Sequence, residues 1–201
     1  FFVRDTGLEP SKSGVLGLLC AALGRDRTEP VDDLAALRMG VRVDREGVMC
    51  RDFHTVLDAV KASGAKAPGK TVVSTRYYLA DADFLVGLEG EDSGLLESLH
   101  QALEKPRWPL FLGRKSFPPG VPVRVPGGLL RGEPLEEALA RHPWPRRLSR
   151  AKRGKGSPES LRLVLETGFG QGESLRRDQP AGAAFARRAF FPRHVTMRYL
   201  G

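Results

Sequence analysis

Two runs of alternating, strand-prone residues, Arg51 to Val56 and Thr71 to Leu79, flank the segment Lys61-Ala62-Ser63-Gly64-Ala65-Lys66-Ala67-Pro68-Gly69-Lys70. That segment holds no aliphatic side chain larger than alanine. Ordering a backbone residue costs about 1–2 kcal/mol, and nothing here can be buried against that cost. The segment therefore stays outside any core, and the flanking runs pair as a long ribbon with a loose basic tip. His54 and Arg76 end the flanking strands, and Lys61, Lys66 and Lys70 are spaced to meet phosphates on either side of a displaced nucleotide.

The rest of the chain divides into short elements. Ser11 to Gly24 reads as a helix with an apolar face of Val15, Leu16, Leu18, Leu19, Ala22 and Leu23. Ser11 or Ser13 can cap its start after Pro10, and Gly24 stops it. Gly14 and Gly17 inside it each cost about 1 kcal/mol of helix propensity, which predicts another backbone passing very close. A short helix is expected over Asp32 to Met39. Val41 to Asp44, a turn at Arg45-Glu46-Gly47 and Val48 to His54 read as a hairpin. Phe84 to Leu88 reads as a strand, and Ser93 to Lys105 as an amphipathic helix stopped by Pro106. The remainder is rich in Pro, Gly and Arg, with a mobile basic loop expected over 146–156 and strands over Leu161 to Glu166 and Val195 to Leu200. No internal repeat is visible. This order predicts an α+β sandwich with an antiparallel sheet, and a ferredoxin-like fold fits if one strand lies upstream of the opening Phe1-Phe2-Val3, which carries no methionine.

Charge narrows the partners. Lysine and arginine number 32 against 24 acidic residues, a formal charge of +8 and a pI near 9.9, so a polyanion is the first partner to consider. Aromatic residues make up only 7%, too few for binding dominated by base stacking, so phosphate contacts are expected to prevail. Cys20 and Cys50 lie in apolar stretches without CxxC spacing, which predicts buried thiols in a reducing cytosol rather than a disulfide or zinc site. No apolar run approaches the roughly 20 residues that cross a bilayer and no signal-peptide pattern opens the chain, so a soluble, cytoplasmic protein with no membrane partner is expected.

Several clusters could carry chemistry. Glu9-Pro10-Ser11-Lys12-Ser13-Gly14 sets a lysine and two hydroxyls at a helix start, where free N–H groups and the positive dipole end favour phosphate. An ordinary capped helix explains the same residues, and the glycines of a Walker loop are absent. A second basic turn, Leu112-Gly113-Arg114-Lys115-Ser116-Phe117-Pro118, follows Lys105-Pro106-Arg107-Trp108; glycine admits a ligand and Arg and Lys supply charge, although a solvated surface turn looks the same. Of the histidines His54, His100, His142 and His194, none has HxxxH or HxH spacing, so no metal site and no cofactor are expected. His54, with Tyr77 or Tyr78 and a lysine such as Lys70, could cleave RNA by general acid–base catalysis, or could simply contact RNA. Asp81 and Asp83 are explained by a tight turn. Arg176-Arg177 and Arg187-Arg188 could meet phosphates or serve solubility.

The strings RDTGLEPSKSGVLGLLCAALG (4–24), RDFHTVL (51–57), RYYLADADFLVGLEG (76–90) and LEKPRWPLFLGRKSFPPGVP (103–122) resemble the CasD family of type I-E CRISPR systems, in the same order and at compatible spacing. The C-terminal part is similar only around RRDQP (176–180) and the final strand. The resemblance implies a ferredoxin-like (RRM-related) RNA-binding domain over 1–126, whose first strand would lie upstream and whose inserted ribbon, about 54–76, forms a thumb. It also implies a small C-terminal β extension over 127–201 carrying the basic loop. Family members hold the 5′ handle of the crRNA in the Cascade surveillance complex without cutting it. They touch the neighbouring backbone subunit and the large subunit, and target DNA only indirectly. In a related branch the corresponding protein is itself the endoribonuclease. Carried over by motif, Ser11, Lys12 and Ser13 and the turn Arg114, Lys115 and Ser116 should lie on the handle. The full set of expected RNA contacts adds Arg51, His54, Lys66, Arg76 and Arg107. Clamping of a bent single strand by helix start, basic turn and thumb is the implied mechanism.

Overall fold

The computed structural model describes residues 3–58, 60, 64, 69, 71–145, 160–181, 185–187 and 189–201. Lys61, Lys66 and Lys70 at the ribbon tip, and the basic loop 146–156, lie outside the described residues. In chain order the elements are β1 Val3–Arg4, α1 Lys12–Leu23, α2 Asp32–Ala35, β2 Arg38–Arg45, β3 Val48–Leu57 and β4 Thr71–Ala80. They continue with β5 Asp83–Glu89, α3 Ser93–Glu104, α4 Leu135–Arg141, β6 Leu161–Glu166, β7 Ser174–Pro180 and β8 Phe190–Leu200. The result is a mixed α+β protein with two sheets and few helices. It divides into two compact units, Phe1–Glu9 with Arg45–Asp83, and Pro10–Asp44 with Phe84–Gly201. Among the described residues no helix is long and apolar enough to cross a membrane.

The first unit is a three-stranded sheet in the order β1-β4-β3. β3 and β4 pair antiparallel without interruption from Val48 opposite Ala80 to Leu57 opposite Thr71, and β1 lies parallel to β4. This is the ribbon expected from the two flanking runs. The hairpin expected over 41–54 does not form: β2 belongs to the other sheet, and β3 takes β4 as its partner. The turn at Arg45-Glu46-Gly47 therefore joins strands of different sheets. Asp81 adopts φ 61 in the link from β4 to β5, the left-handed geometry of a tight turn, and accepts from Arg45 at 3.0 Å.

The second unit is built on a five-stranded sheet in the order β5-β2-β6-β8-β7. Alternation decides which side chain faces which layer. Met39, Val41 and Val43 of β2 meet Val15, Leu16, Leu19 and Cys20 of α1 and Leu99 of α3, with Phe84, Val86 and Leu88 of β5 packed against them. On the opposite face Leu163 and Leu165 of β6 meet Leu135 and Leu139 of α4. Each such aliphatic side chain contributes about 1.5–3 kcal/mol on burial. Gly40 permits the second layer: a Cβ there would stand 2.6 Å from Leu139 Cδ1 and 2.9 Å from Leu165 Cδ2.

Buried on that face is Arg42, whose Nε donates to Asp44 Oδ1 at 2.7 Å. Its Nη1 donates to the carbonyls of Leu139 at 2.6 Å and His142 at 2.5 Å, so one guanidinium caps the C-terminus of α4 while pairing with a carboxylate.

Other differences from the expected elements have local causes. The helix expected over Asp32 to Met39 ends at Ala35, because Met39 joins β2 and donates its N–H to Glu166 Oε2 at 3.1 Å. The helix α4 and the strand β7 were not foreseen; α4 lies in the Pro- and Gly-rich remainder and β7 carries arginines at its centre. β6, β7 and β8 complete the same sheet as β2, so that sheet runs across the boundary expected at 126/127. Neither cysteine is in a disulfide; Cys20 is buried and Cys50 half-buried.

Candidate nucleic-acid interface

The start of α1 is capped by Ser11, whose Oγ accepts from Gly14 N–H at 3.1 Å and lies 3.3 Å from Ser13 Oγ. Gly14 has a specific neighbour. A Cβ on it would stand 3.3 Å from Leu112 Cδ1, so the glycine lets the 112–117 turn sit against the helix start, through a side chain rather than the expected backbone. Gly17 has open space at that position and meets no neighbour. Two segments singled out in the sequence, Ser11–Ser13 and Arg114–Ser116, thus flank this approach of Leu112 to Gly14 within one unit. In that turn Arg114 lies over the Phe117 ring at 4.8 Å, and Phe117 N–H donates to Arg114 O at 3.0 Å. Lys115 and Ser116 are exposed.

Lys12 departs from its expected place. It is 1% exposed, not an exposed cation at the cap. Its Nζ donates to Glu166 Oε1 at 2.9 Å, and its backbone N–H donates to Asp178 Oδ2 at 2.7 Å. Arg193 completes the cluster, donating from Nε to Asp178 Oδ1 at 2.6 Å and standing 3.7 Å from Glu166. Burial lowers the Lys12 pKa, outweighing the hydrogen bond and charge of Glu166 that raise it. Glu166, Asp178 and Arg193 were not anticipated. Their partners lie far away in sequence, and the only local sign was the loose resemblance around RRDQP, which contains Asp178.

Arg107 is exposed, and its stem packs over Gly24, which closes α1 at φ 74. The N–H groups of Arg107 and Trp108 donate to Ala22 O at 2.9 Å and Ala21 O at 3.1 Å, satisfying the last carbonyls of α1.

On the ribbon, register sorts the candidates by face. His54 lies opposite Ser74, Asp52 opposite Arg76 and Arg51 opposite Tyr77. His54 and Arg76 therefore share one face, while Arg51 and Tyr77 share the other, since successive side chains alternate. The trio His54, Tyr77 and Lys70 is not assembled by these strands: His54 and Tyr77 point to opposite faces, and Lys70 lies outside the described residues. Tyr78 shares the His54 face but is four positions along the strand, about 14 Å at roughly 3.4 Å per residue. Arg51 lies over the Phe53 ring at 5.4 Å, on a face where Met49, Phe53, Leu57 and Val73 are exposed. Ser74 Oγ donates to His54 O at 3.3 Å and accepts from Arg76 Nε at 3.4 Å. Among the described residues no group of three His, Cys, Asp or Glu is placed to hold a metal ion.

Known proteins with the same architecture carry related descriptions. A chain described as "Crystal structure of Cas protein" superposes with a TM-score of 0.74 at 49% identity, covering 98% of this chain and 84% of that one. A chain of a "CRISPR RNA-guided surveillance complex" superposes with a TM-score of 0.74 at 29% identity, covering 100% of this chain and 82% of that one. The CRISPR system Cascade subunit CasD of Escherichia coli (strain K12) is 38% identical over 128 residues. That match spans 57% of this chain and 57% of the relative's length. The profile of the family described as CRISPR-associated protein (Cas_Cas5) matches residues 1–196, which takes in both units, the helix start and the basic turn, and the chain accordingly belongs to that family.

Proposed function

We propose that the chain is a non-catalytic subunit of a type I-E CRISPR surveillance complex in the cytoplasm, where it binds the 5′ handle of the crRNA and contacts a neighbouring backbone subunit and the large subunit. Target DNA is met only indirectly. The observation that carries this reading is the approach of Leu112 to Gly14 at the start of α1, which is flanked on the same unit by Ser11, Ser13, Arg114, Lys115 and Ser116. Hydroxyls beside cations suit a ribose-phosphate backbone. The exposed Arg51 and His54 on the ribbon offer further contacts and support a thumb role for residues 54–76. A ferredoxin-like (RRM-related) plan for the body is supported by two helices, α1 and α3, packed on one face of the five-stranded sheet. The non-catalytic reading draws on the register that sets His54 and Tyr77 on opposite faces.

Fluorescence anisotropy with single-stranded repeat RNA in EDTA tests the proposal. The expected result is intact RNA and an affinity that falls steeply with salt, each neutralised phosphate adding about 0.7 to the slope of log K against log salt. A flat response reassigns the chain to a purely protein-binding assembly role. A defined cut that disappears in His54→Ala makes it an endoribonuclease.

A further inference from the structure

The first N–H groups of a helix have no intrahelical acceptor, and where no side chain takes them they can hold an anion such as phosphate. At α1 the guest is internal. Lys12 N–H donates to Asp178 Oδ2 at 2.7 Å, and the third N–H, that of Gly14, is taken by Ser11 Oγ at 3.1 Å. Arg193 grips both oxygens of the same carboxylate, Nε to Oδ1 at 2.6 Å and Nη2 to Oδ2 at 2.9 Å. The Lys12 ammonium, 1% exposed, is turned inward to Glu166. Two cations and two anions thereby cancel beneath the turn, and the side chains of Arg193, Asp178 and Glu166 are 7%, 13% and 16% exposed. The cluster joins α1 to β6, β7 and β8, so the C-terminal strands set the position of a turn encoded near residue 11.

We propose that Asp178 is the positioning residue of this turn: a resident carboxylate, clamped by Arg193, that fills the helix's anion position. The α1 start then meets an RNA backbone through the hydroxyls of Ser11 and Ser13, and neither the Lys12 ammonium nor the N–H groups of Lys12 and Gly14 contact a phosphate. This builds on the RNA-binding reading above and gives it a specificity consequence. The turn recognises ribose or base groups by neutral hydrogen bonds, while the phosphate charge is met by neighbours such as Lys115.

Two measurements test it, the first without RNA. The thermal midpoint of the wild-type chain is compared in inorganic phosphate and in chloride at equal ionic strength, and no phosphate-specific rise is expected. Asp178→Asn, which keeps an acceptor but removes the charge, should gain such a rise. A rise in the wild type as large as in the variant shows an open anion site and overturns the proposal. The second measurement is the salt dependence of binding to single-stranded repeat RNA. Lys12→Met combined with Glu166→Gln, a neutral pair that strands no charge between them, should keep the wild-type slope, and Asp178→Asn should steepen it by about 0.7, one added phosphate. A slope shallower by about 0.7 in the neutral pair makes Lys12 a phosphate ligand and overturns the proposal. An unchanged slope in Asp178→Asn makes that residue merely structural and overturns it equally. If the variants do not fold, the wild-type phosphate measurement decides alone. Should the wild type bind no RNA, the functional reading fails while the phosphate arm still reads Asp178.

Discussion

Arg42→Leu isolates the energetic logic of the second unit. Arg42 and Asp44 are buried, at 1% and 4% exposure, and their ion pair at 2.7 Å is screened by almost no solvent. Removing the guanidinium leaves Asp44 without its arginine and withdraws a donor from the carbonyls of Leu139 and His142, which received it at 2.6 and 2.5 Å. Breaking one side of a buried pair typically costs about 3–5 kcal/mol, most of it the penalty of the stranded charge. At about 2–4 °C per kcal/mol for a chain of this size, Tm should fall by roughly 10 °C. Replacing both partners, Arg42→Leu with Asp44→Leu, should be milder than Arg42→Leu alone by about 2 kcal/mol, because no carboxylate is then left behind by the loss of its arginine. Urea titration followed by far-UV circular dichroism gives the global value. Trp144, whose Nε1 donates to Asp44 O at 3.2 Å, gives a local fluorescence signal. A cost below about 1 kcal/mol for the single variant, or a double variant as unstable as the single, would refute the stranded-charge argument.

Other sites offer sharper single readouts. Gly40→Val should cost about 1–3 kcal/mol in urea titration by pressing on Leu139 and Leu165, which already stand 2.6 and 2.9 Å from the Cβ position; a neutral result means α4 can lift without loss. Burial pushes the Cys20 thiol up from 9.0 to about 11, so the folded state holds its proton longer than the unfolded state. Its contribution is complete below pH 9 and is lost as pH rises toward 11, about 3 kcal/mol at most, and Cys20→Ala should flatten the stability profile in that window. Replacing residues 61–70 by a short Gly-Ser turn should leave Tm unchanged, because the last β3–β4 pair, Leu57 with Thr71, lies outside the exchange, while impairing assembly on guide RNA; a chain that unfolds instead makes the segment part of the core.

Elements whose signals are local were legible from the sequence. α1 begins at a serine that does cap it and ends at a glycine with φ 74, and β6 occupies the residues expected of it, Leu161 to Glu166. The ribbon was legible because its connecting segment has nothing to bury. What escaped depends on pairing choices that no local pattern records. β2 and β3 are adjacent in sequence and both alternate, so a hairpin was the economical reading. β2 instead has two apolar layers to satisfy, Met39, Val41 and Val43 on one side and the α4 contact on the other, and its place between β5 and β6 in the larger sheet provides both.

Lys12 escaped for a different reason, and there the sequence did hold a clue. A cation at the first position of a helix opposes the positive dipole end, where anions are favoured by about 0.3–1 kcal/mol. Such a lysine is tolerable if its charge is solvated on the surface or if a carboxylate stands beside it. The apolar Val15 and Leu16, three and four positions on and so on the same helix face as Lys12, leave that face little surface, so the first option was already costly. Two carboxylates were then required, one for the N–H and one for the ammonium, and Asp178 and Glu166 supply them from 166 and 154 residues away. A basic residue at a capped helix start is therefore ambiguous between a ligand contact and an internal ion pair, and the burial of its neighbours decides between them: here Val15 and Leu16 are both in the core, which places Lys12 on the inside.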